Sequence, residues 1–219
     1  MRRLALTLGL AVLLLAPACA GNRAYLDWRP GLSEIDFEGL FEISIDEYQT
    51  YADEAASNVS FERRTGPPSP EAAAAMAELG ERIALSSNAD PRGYAIAALG
   101  GDGSVTLTGD RGQAHTGSVD WFATSSDRRW AALLTGTKLA VAVDGASTGI
   151  DVGSLLGAGR VGGYKLIMLP RDGELSVFAL PELGGSVSAN EPGYLFSFRY
   201  QPGAREAWDI SVARVVITI

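Results

Sequence analysis

The residues best suited to covalent chemistry are scarce in this chain, which contains one cysteine, Cys19, and one histidine, His115. Any Ser-His-Asp or Cys-His mechanism would therefore have to pass through His115. Asp110 and Ser118 are near it in the sequence, but a catalytic triad is defined by geometry and not by sequence neighbours. We interpret His115 as an ordinary residue of a turn or strand end, and we predict no catalytic residue.

The acidic residues offer a second kind of chemistry, because glycoside hydrolysis needs two carboxylates that flank a sugar bond. The chain has 26 aspartates and glutamates, so pairs are expected by number alone and identify no site. The one concentrated group runs from Glu34 to Glu62 and contains no basic residue. It is typical of a solvated outer face, with a cation-binding or partner-binding face as the alternative. The pattern of a calcium loop is missing, and we predict no metal.

The glycine-rich segment 149–163 contains one G-x-G-x-x-G sequence, from Gly157 to Gly162. Dinucleotide binding requires this sequence to follow a strand and open a helix. Here a hairpin strand follows, so we interpret the segment as a flexible loop between hairpins and predict no cofactor.

Aromatic side chains are concentrated in the second half of the chain, where they could stack on a sugar ring. Alternating aromatics such as Phe196 and Phe198 are more typical of a sheet core. The adjacent pair Trp121 and Phe122 lies between predicted hairpins, and it is our candidate ligand-binding pair.

Cys19 stands at the end of a segment with three distinct parts. Met1-Arg2-Arg3 is positively charged, Leu4 to Leu15 is apolar, and Ala16-Pro17-Ala18 is small. This order is typical of a secretory signal peptide, and the apolar part is too short for a permanent membrane span.

A lone cysteine at this place resembles the lipobox of bacterial lipoproteins. The family most often has Leu three residues before the cysteine, where this chain has Ala16. The resemblance implies a signal peptide over residues 1–18 and a lipid on Cys19, which becomes the first mature residue. In a Gram-negative source, Ala20 in place of Asp implies the outer membrane and not the inner one. The alternative is ordinary cleavage after Ala18-Cys19-Ala20, which would discard the cysteine.

The net charge restricts the classes of partner that the mature chain is expected to bind. Loss of Arg2 and Arg3 leaves 16 basic residues against 26 acidic ones, a net charge near −10. An acidic surface disfavours nucleic acid and repels anionic headgroups, so membrane contact is expected through the lipid alone. Because no cysteine follows Cys19, the folded part contains no disulfide.

Periodicity divides the rest of the chain into a tether and two regions. Residues 19–33 form the tether, and residues 34–92 form an acidic N-terminal region. In that region, alternation predicts a strand or hairpin, followed by a helix that starts near Ile45. A second helix is expected from Ser69 and Pro70 to about Leu85, weakened by Gly80.

Residues 93–219 have the pattern of antiparallel hairpins. Strand-turn-strand units begin at Tyr94, Trp130, Tyr164 and Tyr194, and each turns at or near a glycine. The sequence therefore predicts a mainly β fold, a two-sheet sandwich or meander, with a small propeller-like arrangement as the alternative. The final strand is expected to pair centrally, and residues 34–219 to fold as one unit.

These observations favour an exported, lipid-anchored envelope protein without enzymatic activity, which binds or scaffolds another envelope component. The expected partners are the membrane, reached through the lipid, and an envelope protein or glycan. A carbohydrate-binding module and a carboxylate-dependent glycan hydrolase are the alternatives.

Overall fold

The structure, a computed structural model, describes residues 36–89, 96–108, 114–157, 159, 161–182, 191–202 and 207–218. Strands predominate in these ranges, as the sequence predicted. The strands are β1 (Asp36–Ser44), β2 (Val59–Glu62), β3 (Ile96–Leu99), β4 (Ser104–Thr108), β5 (Ala114–Ser118), β6 (Trp121–Thr124), β7 (Trp130–Thr135), β8 (Lys138–Val143), β9 (Ala146–Asp151), β10 (Tyr164–Arg171), β11 (Glu174–Pro181), β12 (Gly193–Gln201) and β13 (Ala207–Thr218). The helices are α1 (Ile45–Ala55), α2 (Pro70–Ala89) and α3 (Gly153–Leu156).

The described strands form three sheets, none of them closed into a barrel. Sheet A has the order β1-β13-β12-β11-β10, sheet B the order β2-β6-β7-β8-β9, and sheet C the order β3-β4-β5. The four predicted hairpins are confirmed as β3–β4, β7–β8, β10–β11 and β12–β13. The final strand β13 lies between β12 and β1, as predicted, and its pairing with β1 is parallel.

Sheets A and B enclose the main hydrophobic core, so the predicted sandwich is confirmed. Both sheets contribute alternate side chains to this core, among them Phe196 and Phe198 of sheet A, which are fully buried. Trp130 of sheet B meets Trp208 of sheet A edge to face, with ring centroids 6.4 Å apart. Such contacts join the two sheets through a layer of large apolar side chains.

The outer faces of sheets A and B are also covered by other elements. Tyr48, Tyr51 and Ala55 of α1 pack on the outer face of sheet A. The helix α2 and sheet C pack on the outer face of sheet B. Every residue of β7 is consequently buried, which fits its apolar run from Trp130 to Leu134.

The starts of the two longer helices agree with the sequence prediction. Ser44 caps α1 in a reciprocal capping box with Glu47, and Asp46 and Glu47 occupy the first turn. Ser69 precedes Pro70, and its hydroxyl accepts the Ala72 N–H at 3.2 Å. The acidic N-terminal region supplies β1 to sheet A and β2 to sheet B.

Two local predictions are wrong. The helix α2 continues to Ala89 and does not end near Leu85, because Ser86, Ser87 and Asn88 cost little in a helix. The segment 149–163 is not simply a loop: it begins inside β9 and continues into the short helix α3. In β9, sheet pairing overrides the low strand preference of glycine, since Gly149 pairs with Ala140 of β8.

Candidate functional site

The residues that the sequence singled out are scattered over the molecule. Cys19 and the whole leader lie outside the described residues, so its lipidation stays a prediction. His115 lies within β5 and is exposed, and its ring has no hydrogen-bond partner among the described residues. Gly145 to Gly149 match the G-x-S-x-G pattern of serine hydrolases, which sequence reasoning missed. Ser147 is nevertheless buried inside β9 and not on a strand-to-helix turn, so it forms no nucleophile elbow.

Trp121 and Phe122 project from opposite faces of β6, as neighbours on a strand must. Trp121 points into the core between the sheets, while Phe122 is fully buried beneath α2. The two rings therefore do not share a surface. Trp121 is the one of the pair that borders a surface cavity.

That cavity is a groove at one edge of the sandwich. It has two parts of about 530 and 540 Å³, which share Glu62, Trp121 and Leu166 as lining residues. We call it the edge groove. Its walls are β2, the edge strand of sheet B, and β10, the edge strand of sheet A. At one end it reaches Ala52 and Ala55 of α1.

The register of β2 shows which of its backbone groups face the groove. The Arg63 N–H donates to the Asp120 carbonyl at 2.9 Å, directly beyond the Glu62–Trp121 pair. Antiparallel ladders alternate between residues that bond to the neighbour and residues that face away. Ser60 and Glu62 therefore direct their N–H and C=O groups away from β6 and into the edge groove.

The backbone groups of β10 alternate in the same way. Its last pair with β11, Arg171 and Glu174, closes a two-residue turn, so the bonded positions are the odd-numbered ones. Leu166 and Met168 consequently direct their backbone groups away from β11. The Asn58 side-chain amide confirms this direction, since it donates to the Met168 carbonyl at 2.9 Å.

Each wall is partly capped by a side chain. Asn58 occupies the Met168 carbonyl, and the Thr65 hydroxyl donates to the Glu62 carbonyl at 2.7 Å. Within the described part of the chain, three backbone groups on each wall have no hydrogen-bond partner. On β10 these are the Leu166 N–H and C=O and the Met168 N–H, and on β2 they are the Ser60 N–H and C=O and the Glu62 N–H.

Ion pairs occupy the charged rim of the groove. Arg64 bridges Glu62 and Glu182, with N–O distances of 2.9 and 2.8 Å. Burial acts to lower the pKa of Arg64, but the hydrogen bonds and charges of these two carboxylates outweigh it and raise the pKa. Arg64 therefore stays charged and holds both acids on the rim.

Asp120 is held in the same way at the opposite side of the rim. One of its oxygens accepts the Gly136 N–H at 2.7 Å, and the other lies 3.4 Å from Arg63. Lys165 differs from these residues, since its side chain is exposed and forms no ion pair with any described residue. Among the described residues of the rim, Lys165 is thus a cation available to a ligand.

The carboxylates of the groove are occupied by charged partners. Glu62 and Asp120 are both engaged by arginines, and no group of three metal-ligating side chains occurs among the described residues. The acidic residues of α1 are largely exposed, and Glu54 pairs with Arg171. Among the described helices, none is long and apolar enough to cross a membrane.

Sequence reasoning missed the edge groove, although β10 carries two signals of an edge strand. Lys165 interrupts an apolar run, and Pro170 lacks the N–H that a central strand would need. Comparisons with protein-family models, with curated proteins and with solved structures found no match.

Proposed function

We propose that this chain is an exported, lipid-anchored protein of the cell envelope that binds another envelope component in the edge groove. The observation that carries the proposal is the groove itself, a cavity between two edge strands whose walls keep backbone groups that have no hydrogen-bond partner among the described residues. The anchor rests on Cys19 and its resemblance to the lipobox. The binding role rests on the groove alone, so each part has its own test.

Metabolic labelling with a fatty acid tests the anchor. The wild type should incorporate the label and the Cys19→Ser variant should not, because the acyl chain needs the thiol. Recovery of an unlabelled wild-type chain that begins at Gly21 would refute the anchor and leave the groove proposal intact.

Photocrosslinking in living cells tests the groove. A photoreactive amino acid in place of Lys165 stands on the rim, where it touches whatever occupies the groove. The same amino acid in place of His115 is the matched control, because this exposed side chain lies on β5 of sheet C. We expect a discrete crosslinked species from position 165 and none from position 115. Equal crosslinking from both positions, or none from either, would contradict the proposal.

A glycan hydrolase is the second candidate, because Glu62 and Asp120 line the same groove as Trp121 and Tyr164. Paired carboxylates in a cleft with aromatic side chains are the pattern that glycosidases use. The arginine partners count against it, since each carboxylate already accepts a charged hydrogen bond. Release of soluble sugars from purified cell wall, lost in both Glu62→Gln and Asp120→Asn, would favour this activity over simple binding.

A further inference from the structure

The edge groove has hydrogen-bonding groups at the spacing of a β-strand. Leu166 and Met168 are two residues apart on β10, and Ser60 and Glu62 are two residues apart on β2. An added strand bonds to its neighbour at every second residue. The stretch 165–168 of β10 is about 13 Å long at the usual rise per residue. It can therefore pair with about four residues of an extended peptide.

The side chains around the groove define the pattern of such a peptide. Leu166 and Met168 face the core between the sheets, near Trp121. Lys165 projects from the other face of β10 and is exposed. Residues directly opposite each other on paired strands share a face. A strand added to β10 would thus place apolar side chains opposite Leu166 and Met168 and an acidic side chain opposite Lys165.

The aromatic residues of the groove are poorly placed to hold a sugar. Trp121 is 9% exposed and Tyr164 is 4% exposed. Stacking on a sugar ring needs an open aromatic face, which neither residue provides. The free groups of the groove are instead the backbone N–H and C=O groups of its walls, which match those of another extended chain.

We propose that the ligand of the edge groove is an extended polypeptide segment with alternating apolar and acidic residues, which adds as a strand to the free edge of β10. This inference rests on the proposed function and names the chemistry of its partner. The peptide donates to the Leu166 carbonyl and accepts the Leu166 and Met168 N–H groups. Its acidic side chain pairs with Lys165, the cation on the rim that has no ion pair among the described residues.

The test uses the mature chain and two libraries of displayed eight-residue peptides. One library alternates apolar residues with Asp or Glu, and the other alternates the same apolar residues with Lys. We expect binders from the acidic library alone, at least tenfold weakened by Lys165→Glu and weakened to a smaller extent by Lys165→Gln, which removes the charge of Lys165 without reversing it. A synthetic binder N-methylated on the amides that face β10 should bind at least tenfold more weakly, while methylation of the alternate amides should change little.

The Leu166→Pro variant removes one of the two donors on the protein side, the Leu166 N–H. Pro170, which also points away from β11, shows that β10 accepts proline at such a position. If this variant does not fold, the N-methylated peptides still test whether the ligand adds as a strand to β10. Equal binding of the two methylated forms, or enrichment of the basic library, would overturn strand addition.

Other occupants give distinct results. A concentration-dependent dimer that Leu166→Pro abolishes would assign the groove to a second copy of this chain and contradict a separate peptide. Crosslinking of a glycan from position 165, with no peptide binder from either library, would refute the peptide and leave the binding function of the groove standing.

Discussion

The substitution Gly80→Ala sets two physical effects against each other. In an isolated helix, alanine is favoured over glycine by about 1 kcal/mol, so the sequence alone predicts that this change stabilises α2. In the structure, a methyl group at Gly80 would lie 2.0 Å from the Leu99 carbonyl oxygen and 3.0 Å from its carbon. These are backbone atoms of β3, which cannot rotate aside.

The clash with the Leu99 backbone determines whether Gly80→Ala stabilises or destabilises the protein. Relief of the clash requires α2 and sheet C to separate by roughly 1 Å, and overpacking of this kind costs about 1–3 kcal/mol. Since the clash is with backbone, we take the upper part of that range. After subtraction of the helix-propensity gain, we expect Gly80→Ala to lower the free energy of unfolding by about 2 kcal/mol.

Urea denaturation of the mature chain, followed by far-UV circular dichroism, measures this change. The matched control is Ala74→Gly, an exposed position on the same helix, which should cost about 1 kcal/mol from propensity alone. The refuting result is a Gly80→Ala variant that is as stable as the wild type or more stable. It would mean that α2 does not press against β3 at Leu99.

Three further predictions concern stability. Burial acts to raise the pKa of Asp151, but hydrogen bonds led by that from Lys138 outweigh it and lower the pKa. The stability that this carboxylate contributes is present above its unfolded-state pKa near 3.9, and it is lost as the pH falls through the lower folded-state pKa. In urea denaturation between pH 7 and pH 2, the Asp151→Asn variant should therefore lose less stability at acid pH than the wild type does. Ser44→Ala removes the capping box with Glu47 and should cost about 1 kcal/mol in urea denaturation. Trp208→Phe should change the free energy of unfolding by less than about 1 kcal/mol, because the lost packing is offset by removal of a buried indole N–H that has no partner among the described residues.

Each of these three has a result that would contradict it. An Asp151→Asn variant with the acid limb of the wild type would show that this carboxylate is not the titrating group. No loss in Ser44→Ala would show that the capping box contributes nothing to α1. A loss above about 3 kcal/mol in Trp208→Phe would mean that packing of the indole ring dominates over its unpaired N–H.

The hairpins could be predicted from the sequence because their signals are local. A glycine at the turn between two β-rich runs, as at Gly173, fixes a hairpin without reference to the rest of the chain. The start of α2 is equally local, since Ser69 and Pro70 specify it together. Local signals of this kind are sufficient to predict the mainly β fold class.

The edge groove could not be predicted in this way because it depends on which strands lie at the sheet edges. The short strand β2 follows α1 and joins sheet B, more than 100 residues away in sequence from β10. The pair Trp121 and Phe122 shows the same limit. Composition marks both as aromatic, but only the packing of α2 on one face of β6 decides that Phe122 is inaccessible.

Hydrogen–deuterium exchange of the full-length protein tests our proposal that a ligand occupies the edge groove in the cell envelope. Exchange is compared between isolated envelopes and the same protein extracted into detergent and purified. We expect the amides of Leu166 and Met168 to exchange slowly in envelopes and quickly after extraction, while those of β1, the opposite edge of sheet A, are unchanged. Equal exchange of the β10 amides in both preparations, or protection confined to β1, would contradict the proposal.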